Sequence, residues 1–523
     1  AANEKGIRVP QLTSPREVNR VTPLVVEGRQ PALIAPDDPA YAPAVTTLIT
    51  GLQAAGISPE QVATIEQADP AHRTVICMGS MLNNVLIERL YWNRYTFIDA
   101  LIPGPGNYIV QTVCDPYPYN GGTNVVVLGC SDPAGAEPAV ARLLELIENG
   151  LLPYAMVGGP EPLVPEATAA KVAASEPNPT LTELTDNVNG YLSTGCDAYA
   201  QKAVRAMRVV AALYAPGAER SATGTAAGRK LPWPEETSSW EIQCAWDAFD
   251  ECPLIDEQLR LDFTNAMLAF TRELLNHVSG YGAIGINDTV SWNHTTFPLL
   301  GMHFGARYFK RYYGLVDMDE YLQKAEACFT AQSRSWKPQE DADSYLTLTT
   351  AHSQVYSLAE NDMRYFEAGN MEKYANYMVG ICDNLGLASG FGDSGVSSRP
   401  NLPQLVLPLG LWHSGDGGYK WLLSHYTNGT WQNPYERGIE PVRPDRFTGV
   451  NVFMTDPQVY DYLQSGPTYN EPFARADVPL EESFDKISFR ENWEAGGQYL
   501  LLDGIARGKH LHYDGNSIIE FVE

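Results

Sequence analysis

Basic residues are scarce in this chain: 36 Lys and Arg stand against 63 Asp and Glu, a formal net charge of −27. That balance argues against a nucleic-acid binder that neutralises phosphates, and a polyanionic ligand would need a local basic pocket. No stretch approaches the run of about 20 apolar residues that a membrane-spanning helix requires, so no membrane span is expected. The eight cysteines, Cys77, Cys114, Cys130, Cys196, Cys244, Cys252, Cys328 and Cys382, include no CxxC pair. A zinc ribbon and a dithiol redox motif are thereby excluded, leaving buried thiols as the expected role. Neither a basic n-region nor an apolar h-region follows Ala1, so any signal peptide is expected to have been removed or never to have existed. The N-x-T sequons at Asn287, Asn293 and Asn428 are no more than chance supplies in a chain rich in Asn and Thr.

What is present is a globular composition, 44% hydrophobic and 10% aromatic over 523 residues, enough for two to four domains at roughly 100 to 200 residues each. Residues 1–157 read as a small α/β domain: the apolar runs 74–80, 107–114 and 124–130 predict strands, and the amphipathic stretch 136–147 predicts a helix. The turn before that helix has one glycine and carries Asp132, which repels anions, so it reads as a plain turn and not a phosphate site. Residues 158–188, rich in Pro, Ala and Glu, read as an interdomain linker. Across 189–440 apolar residues recur at three and four positions, predicting helices near 196–214, 256–278, 297–313, 319–332, 345–360, 370–385 and 403–424. Seven or more long helices with loops of variable length predict an (α/α) toroid. Residues 441–523 change character, with strand-like runs at 449–454, 486–491, 499–505 and 517–522 that begin a sheet. The expected fold class is therefore multidomain α+β. The last run stops at Glu523 in mid-pattern, and because a half-built sheet exposes a long edge, the natural protein is expected to continue past it.

The densest grouping of chemically capable side chains is 507–517, RGKHLHYDGNS. His510, His512 and Asp514 stand at i, i+2 and i+4, so on an extended chain they share a face, and two of only nine histidines lie there. An exposed polar strand is the plain alternative. Trp292, Asn293, His294, Thr295 and Thr296 precede an apolar helix with Pro298 in its first turn, where backbone donors suit a carboxylate. The plain reading there makes Asn293 or Thr296 an N-cap and His294 a surface residue. The segment EDADSY, 340–345, leads into a helix that carries His352 on the face of Tyr345, although a tyrosine so placed is usually packing. GFGDSG, 390–395, suits the lining of a cleft, although most such loops are turns.

Taken in order, WEIQCAW at 240–246, Asn293-His294, EDADSY, the FGDSG loop, KISFRENW at 486–493 and KHLHYDGNS at 509–517 resemble heparinase II/III-type polysaccharide lyases, over approximately residues 195–523. The resemblance implies an (α/α) toroid followed by an antiparallel sandwich whose early strands carry an arginine-tryptophan motif and then H-x-H-x-D-x-x-S. Lys509 and Asn516 depart from the commonest residues at their positions, within what the pattern tolerates. The implied reaction is β-elimination at a uronic acid, which removes the C5 proton and expels the C4 oxygen. It requires a group that neutralises the carboxylate and stabilises the aci-enolate, a general base, and a general acid. By resemblance Tyr345 is the acid and, for syn elimination, also the base. Asn293 and His294 match the carboxylate-neutralising and base region, and His510 reaches in from the sandwich. A tyrosine with the ordinary pKa near 10 suits the acid role directly. As a base it needs cationic neighbours, for which His510, Arg507 and Lys509 are candidates. His512 matches a histidine that binds a structural zinc in some relatives, with further ligands past Glu523; elimination itself requires no metal.

Two other readings compete. A toroid glycoside hydrolase would use paired carboxylates, for which Asp341, Asp343 and Asp393 are candidates, but it leaves the HxHxD strand without a role. A non-catalytic glycan-binding protein would bind without turnover, and the joint presence of Asn293, His294, Tyr345 and His510 argues against it. Trp292, Trp336 and Trp412 suit sugar stacking or core packing equally. The expectation is a secreted or periplasmic lyase acting on an anionic uronate polymer, with no nucleic-acid partner. The polymer, endo or exo action and oligomeric state are left open.

Overall fold

The computed structural model describes residues 10–119, 121–178, 180–214, 233–280, 293–338, 340–392, 402–465, 478–505 and 517–522. The chain forms two compact units, Ala1–Asn276 with Gly301–Leu322, and His277–Leu300 with Gln323–Glu523. The fold class is multidomain α+β, as the sequence predicts.

In the first unit the apolar runs become a six-stranded sheet. Glu60–Gln61, Ala32–Ile34, Val75–Gly79 and Asn124–Gly129 lie side by side in parallel, and Tyr108–Cys114 runs antiparallel to both Asn124–Gly129 and Met156–Gly159. Every residue of Val75–Gly79, Tyr108–Cys114 and Asn124–Gly129 is buried, which is why these strands read as unbroken apolar runs instead of alternating ones. Helices Ala42–Ala54 and Ala136–Leu146 pack together, with Leu48, Leu52, Val140 and Leu143 fully buried. The Asp132 carboxylate accepts hydrogen bonds from the backbone of Gly106 at 3.1 Å and Gly135 at 3.2 Å, so those donors already serve a resident anion.

Residues 158–188, whose composition predicts a linker, carry helices Glu166–Ala174 and Leu181–Thr194. Glu166–Ala174 has no buried residue and is built largely from alanine, the best helix former. Leu181–Thr194 is capped by Thr180, whose hydroxyl accepts from Glu183 N at 3.1 Å, and it buries Leu184, Val188 and Tyr191. Paucity of large apolar residues is thus compatible with helix wherever propensity and a cap suffice.

The second unit joins helices to an antiparallel sheet. The stretch 403–424, expected as one helix, is two, Leu402–Ser414 and Gly417–Tyr426. Gly415 between them takes φ +70°, and the Asp416 side chain caps Gly418 N at 2.7 Å, a left-handed stop followed at once by a new start. The sheet follows chain order, Gly449–Met454, Phe484–Arg490, Tyr499–Asp503 and Ile518–Val522, antiparallel throughout.

The two faces of this sheet differ. One buries Lys486, Ser488, Arg490, Tyr499, Leu501 and Asp503, with Phe453 of the same face set so close to helix Asn370–Ile381 that a Cβ on Gly380 would come within 2.1 Å of its ring. Arg490 stacks 3.5 Å over Trp493, and it donates to Asn384 Oδ1 at 2.6 Å and to the Cys382 carbonyl. The arginine-tryptophan motif is therefore a buried stack. The opposite face carries Val450, Val452, Met454, Ile487, Phe489, Leu500, Leu502, Ile518 and Phe521, all apolar, with Val450 67% exposed. An apolar face opposite one already packed against a helix is what a sheet offers to a second layer of a sandwich. All eight cysteines are free thiols, and seven of them are buried.

Arg490→Met keeps much of the stacking volume but leaves the Asn384 and Cys382 acceptors unpaired. Urea titration is expected to show a loss of about 2 to 4 kcal/mol in the transition that reports this unit; an unchanged midpoint would mean that the guanidinium bonds contribute nothing.

Candidate functional site

Helix Asn293–Tyr313 begins at the Asn293-His294 pair. Asn293, Thr295 and Thr296 are fully buried and His294 is 4% exposed, so His294 is no surface residue. The Asn293 backbone N–H donates to Glu340 Oε1 at 3.1 Å, and Glu340 Oε2 accepts from the Thr349 hydroxyl. A carboxylate does sit at this helix start, where the dipole and open backbone donors favour one, and it belongs to the protein's own Glu340.

The segment 340–345 enters helix Asp343–Glu360. Tyr345, in the first turn, is half-buried, whereas Glu340, Asp341 and Asp343 are enclosed. His352 lies two turns on, about 10.5 Å along the axis from Tyr345. Its Nδ1 is 3.0 Å from the Thr296 hydroxyl and its ring centroid 4.2 Å from that of Phe297. Burial pushes the His352 imidazole down to about 3, so it is neutral at physiological pH. Glu340 and His352 together hold the start of one helix to the helix that carries Tyr345.

Beside this junction lies a cluster of five charged side chains, none more than 1% exposed. Lys337 Nζ is 2.7 Å from Asp341 Oδ1 and 2.6 Å from Asp485 Oδ2. Lys486 Nζ is 2.9 Å from Asp341 Oδ1, 3.2 Å from Asp485 Oδ1 and 2.9 Å from Asp503 Oδ1. Burial pushes the Asp341 carboxyl up, but Lys337 and Lys486 outweigh it and hold the group below the usual carboxylate range. Burial, followed by the charge of Asp341, lifts Asp503 to about 7. Asp341, a candidate acid for the hydrolase reading, is thus sealed into ion pairs. The glycine-rich loop packs on the same segment: Gly392, at φ +66°, comes so close that a Cβ would meet the Asp341 carbonyl at 2.3 Å, and the Phe391 ring centroid lies 4.3 Å from Lys486 Nζ.

Arg507, Lys509, His510, His512 and Asp514 lie outside the described residues, as do Trp292 and Asp393. Trp336 is a core residue, 6% exposed with its ring 5.1 Å from that of Tyr377. The bridging role of Glu340 and the cation roles of Lys337 and Lys486 escape sequence reasoning, although Glu340 and Lys486 stand inside motifs singled out there. Nothing in a linear pattern says that a lysine on a strand faces inward to meet a distant aspartate.

No protein-family model matches the chain, and no curated protein matches it. Among solved structures it is similar to heparan sulfate lyase HepC from Pedobacter heparinus, with 13% identity, a TM-score of 0.38 and coverage of 65% of this chain and 46% of that one. It is also similar to a heparinase III gene product, with 11% identity, a TM-score of 0.38 and coverage of 64% and 48%. The chain spans about half the length of each.

The unfolded chain protonates His352 near 6.5, whereas the folded protein does so only near 3. Between those values the unfolded state binds more protons, so the stabilisation is complete above pH 6.5 and is lost as pH falls through the window, by up to about 1.4 kcal/mol per pH unit. Urea midpoints at pH 7, 6, 5 and 4 should fall less steeply in His352→Gln than in the wild type.

Proposed function

We propose that this protein is a secreted or periplasmic polysaccharide lyase that cleaves an anionic, uronate-containing polymer by β-elimination. The observation that carries this reading is the junction at Glu340: one buried carboxylate ties Asn293, at a helix start beside His294, to the helix whose first turn presents half-buried Tyr345. In this scheme Asn293 and His294 neutralise the uronate carboxylate and stabilise the aci-enolate. Their enclosure favours that role, because a fixed donor aimed at developing charge is worth more in a low-dielectric site than in water. Tyr345 protonates the departing C4 oxygen, and in a syn elimination it first removes the C5 proton. His510, Arg507 and Lys509 supply the positive field that a tyrosine base needs in a chain of net charge −27. The domain scheme is an α/β domain to residue 157, a toroid over 189–440 and a sandwich from 441. A structural zinc on His512 belongs to the same proposal and is read by metal analysis of the purified protein.

The competing hydrolase needs two carboxylates facing a cleft, and the enclosure of Asp341 in its lysine pairs removes one candidate. A panel of uronate polysaccharides separates the readings. Ultraviolet absorbance of an unsaturated uronate product should rise together with reducing ends. Tyr345→Phe is expected to lose roughly 100- to 10,000-fold in kcat while polymer binding changes only a few-fold. Reducing ends without absorbance would mean hydrolysis, and binding without either signal would mean a non-catalytic glycan binder.

A further inference from the structure

Building on the lyase reading, we propose that the buried cluster of Lys337, Asp341, Asp485, Lys486 and Asp503 is the positioning element of the site. It fixes the segment bearing Glu340 and Tyr345 against strands Phe484–Arg490 and Tyr499–Asp503, and it does so through a proton held among its carboxylates.

The geometry supplies the first half. Lys486 joins carboxylates from three places: Asp341 on the helix-entry segment, Asp485 on its own strand and Asp503 at the end of the next. Lys337 closes the ring by pairing with both Asp341 and Asp485. Asp341 directly follows Glu340 and stands four residues before Tyr345, while Asp503 stands seven before His510. One ammonium therefore ties the segment that carries the proposed acid to both strands. A shift of about 1 Å in such a frame is enough to cost roughly 100-fold in rate.

The charge count supplies the second half. Three carboxylates face two ammoniums, so the fully ionised cluster carries one uncompensated negative charge in a site closed to water, which is costly. One proton removes that excess. Asp341 Oδ2 and Asp503 Oδ2 are both buried without a hydrogen-bond partner among the described residues. Asp341 and Asp485 each pair with both lysines, whereas Asp503 pairs with Lys486 alone, which leaves Asp503 as the protonated member. The titratable groups acting on Asp503 are Asp341, Lys486 and, through their mutual field, the Tyr377 phenol, which burial keeps neutral; the Ile505 N–H donates to its Oδ1 at 2.8 Å, and Asp485 and Lys337 complete the cluster. With Asp503 lifted to about 7, rising pH strips the proton near neutrality, the cluster gains a net charge, and its hold on the helix-entry segment loosens.

The test uses the full chain labelled with fluorotyrosine, the Tyr345 resonance being assigned by Tyr345→Phe, alongside kcat and KM on the polymer from acid to alkaline pH. In the wild type, kcat should fall and the Tyr345 signal should shift with a common midpoint near 7. The isosteric Asp503→Asn should lose that midpoint in both readouts. Lys486→Met should lower kcat by about 100-fold with little change in KM, and should move the Tyr345 signal. Persistence of the wild-type midpoint in Asp503→Asn, its absence in the wild type, or a folded Lys486→Met with wild-type kcat and signal would each overturn the proposal. If the wild type eliminates nothing from any uronate polymer, the lyase reading fails. The fluorine signal needs no substrate and still decides whether the cluster governs Tyr345.

Discussion

Five charged side chains closed off from water hold together the part of this protein on which its chemistry is proposed to depend. Desolvating Lys337, Lys486, Asp341, Asp485 and Asp503 is expensive, and an apolar cluster of similar volume would stabilise a fold at least as well. What ions supply and apolar groups do not is direction. An ammonium that must meet three carboxylates at 2.9 to 3.2 Å tolerates few arrangements of the strands and loop that bring them. The same logic applies one residue away, where Glu340 satisfies the start of helix Asn293–Tyr313 and the Thr349 hydroxyl at once. The polar interior of this unit therefore specifies position more than it adds stability.

Around that interior the packing is conventional. The sheet of the second unit buries one face against helices, with Phe453 close to Gly380 and Arg490 between Trp493 and Tyr499. Its other face is apolar from Val450 to Phe521. The first unit depends on fully buried strands, and on buried ties such as the paired bonds of Arg16 to Asp250 at 2.6 and 2.8 Å. In both units buried charge appears where segments distant in sequence must meet in one register.

Much of the fold could be read from the chain. The strand Gly449–Met454 has the bounds its pattern predicts, and helices Asp197–Leu213, Glu257–Gly280 and Met318–Gln332 lie within two residues of theirs, because period and propensity are local properties. The departures also have local causes. Alanine-rich 166–174 is helical without burying anything, and the single glycine at 415 divides what apolar spacing alone joins. Of the candidate site, Asn293, His294 and Tyr345 stand out in the chain by residue type and motif order, and the structure adds the carboxylate that links their helices.

By itself the sequence determined the α+β class, most element types, the acidic balance and the resemblance of its ordered motifs to heparinase-type lyases, since each depends on residues near one another or on simple counts. Only the tertiary structure decided that Glu340 occupies the helix start that the sequence pattern leaves open to a ligand, that His294 and His352 are enclosed, and that Asp341 pairs with Lys486, 145 residues away. Those outcomes depend on which side chains lose water together, and desolvation is a property of the packed interior that no local pattern encodes.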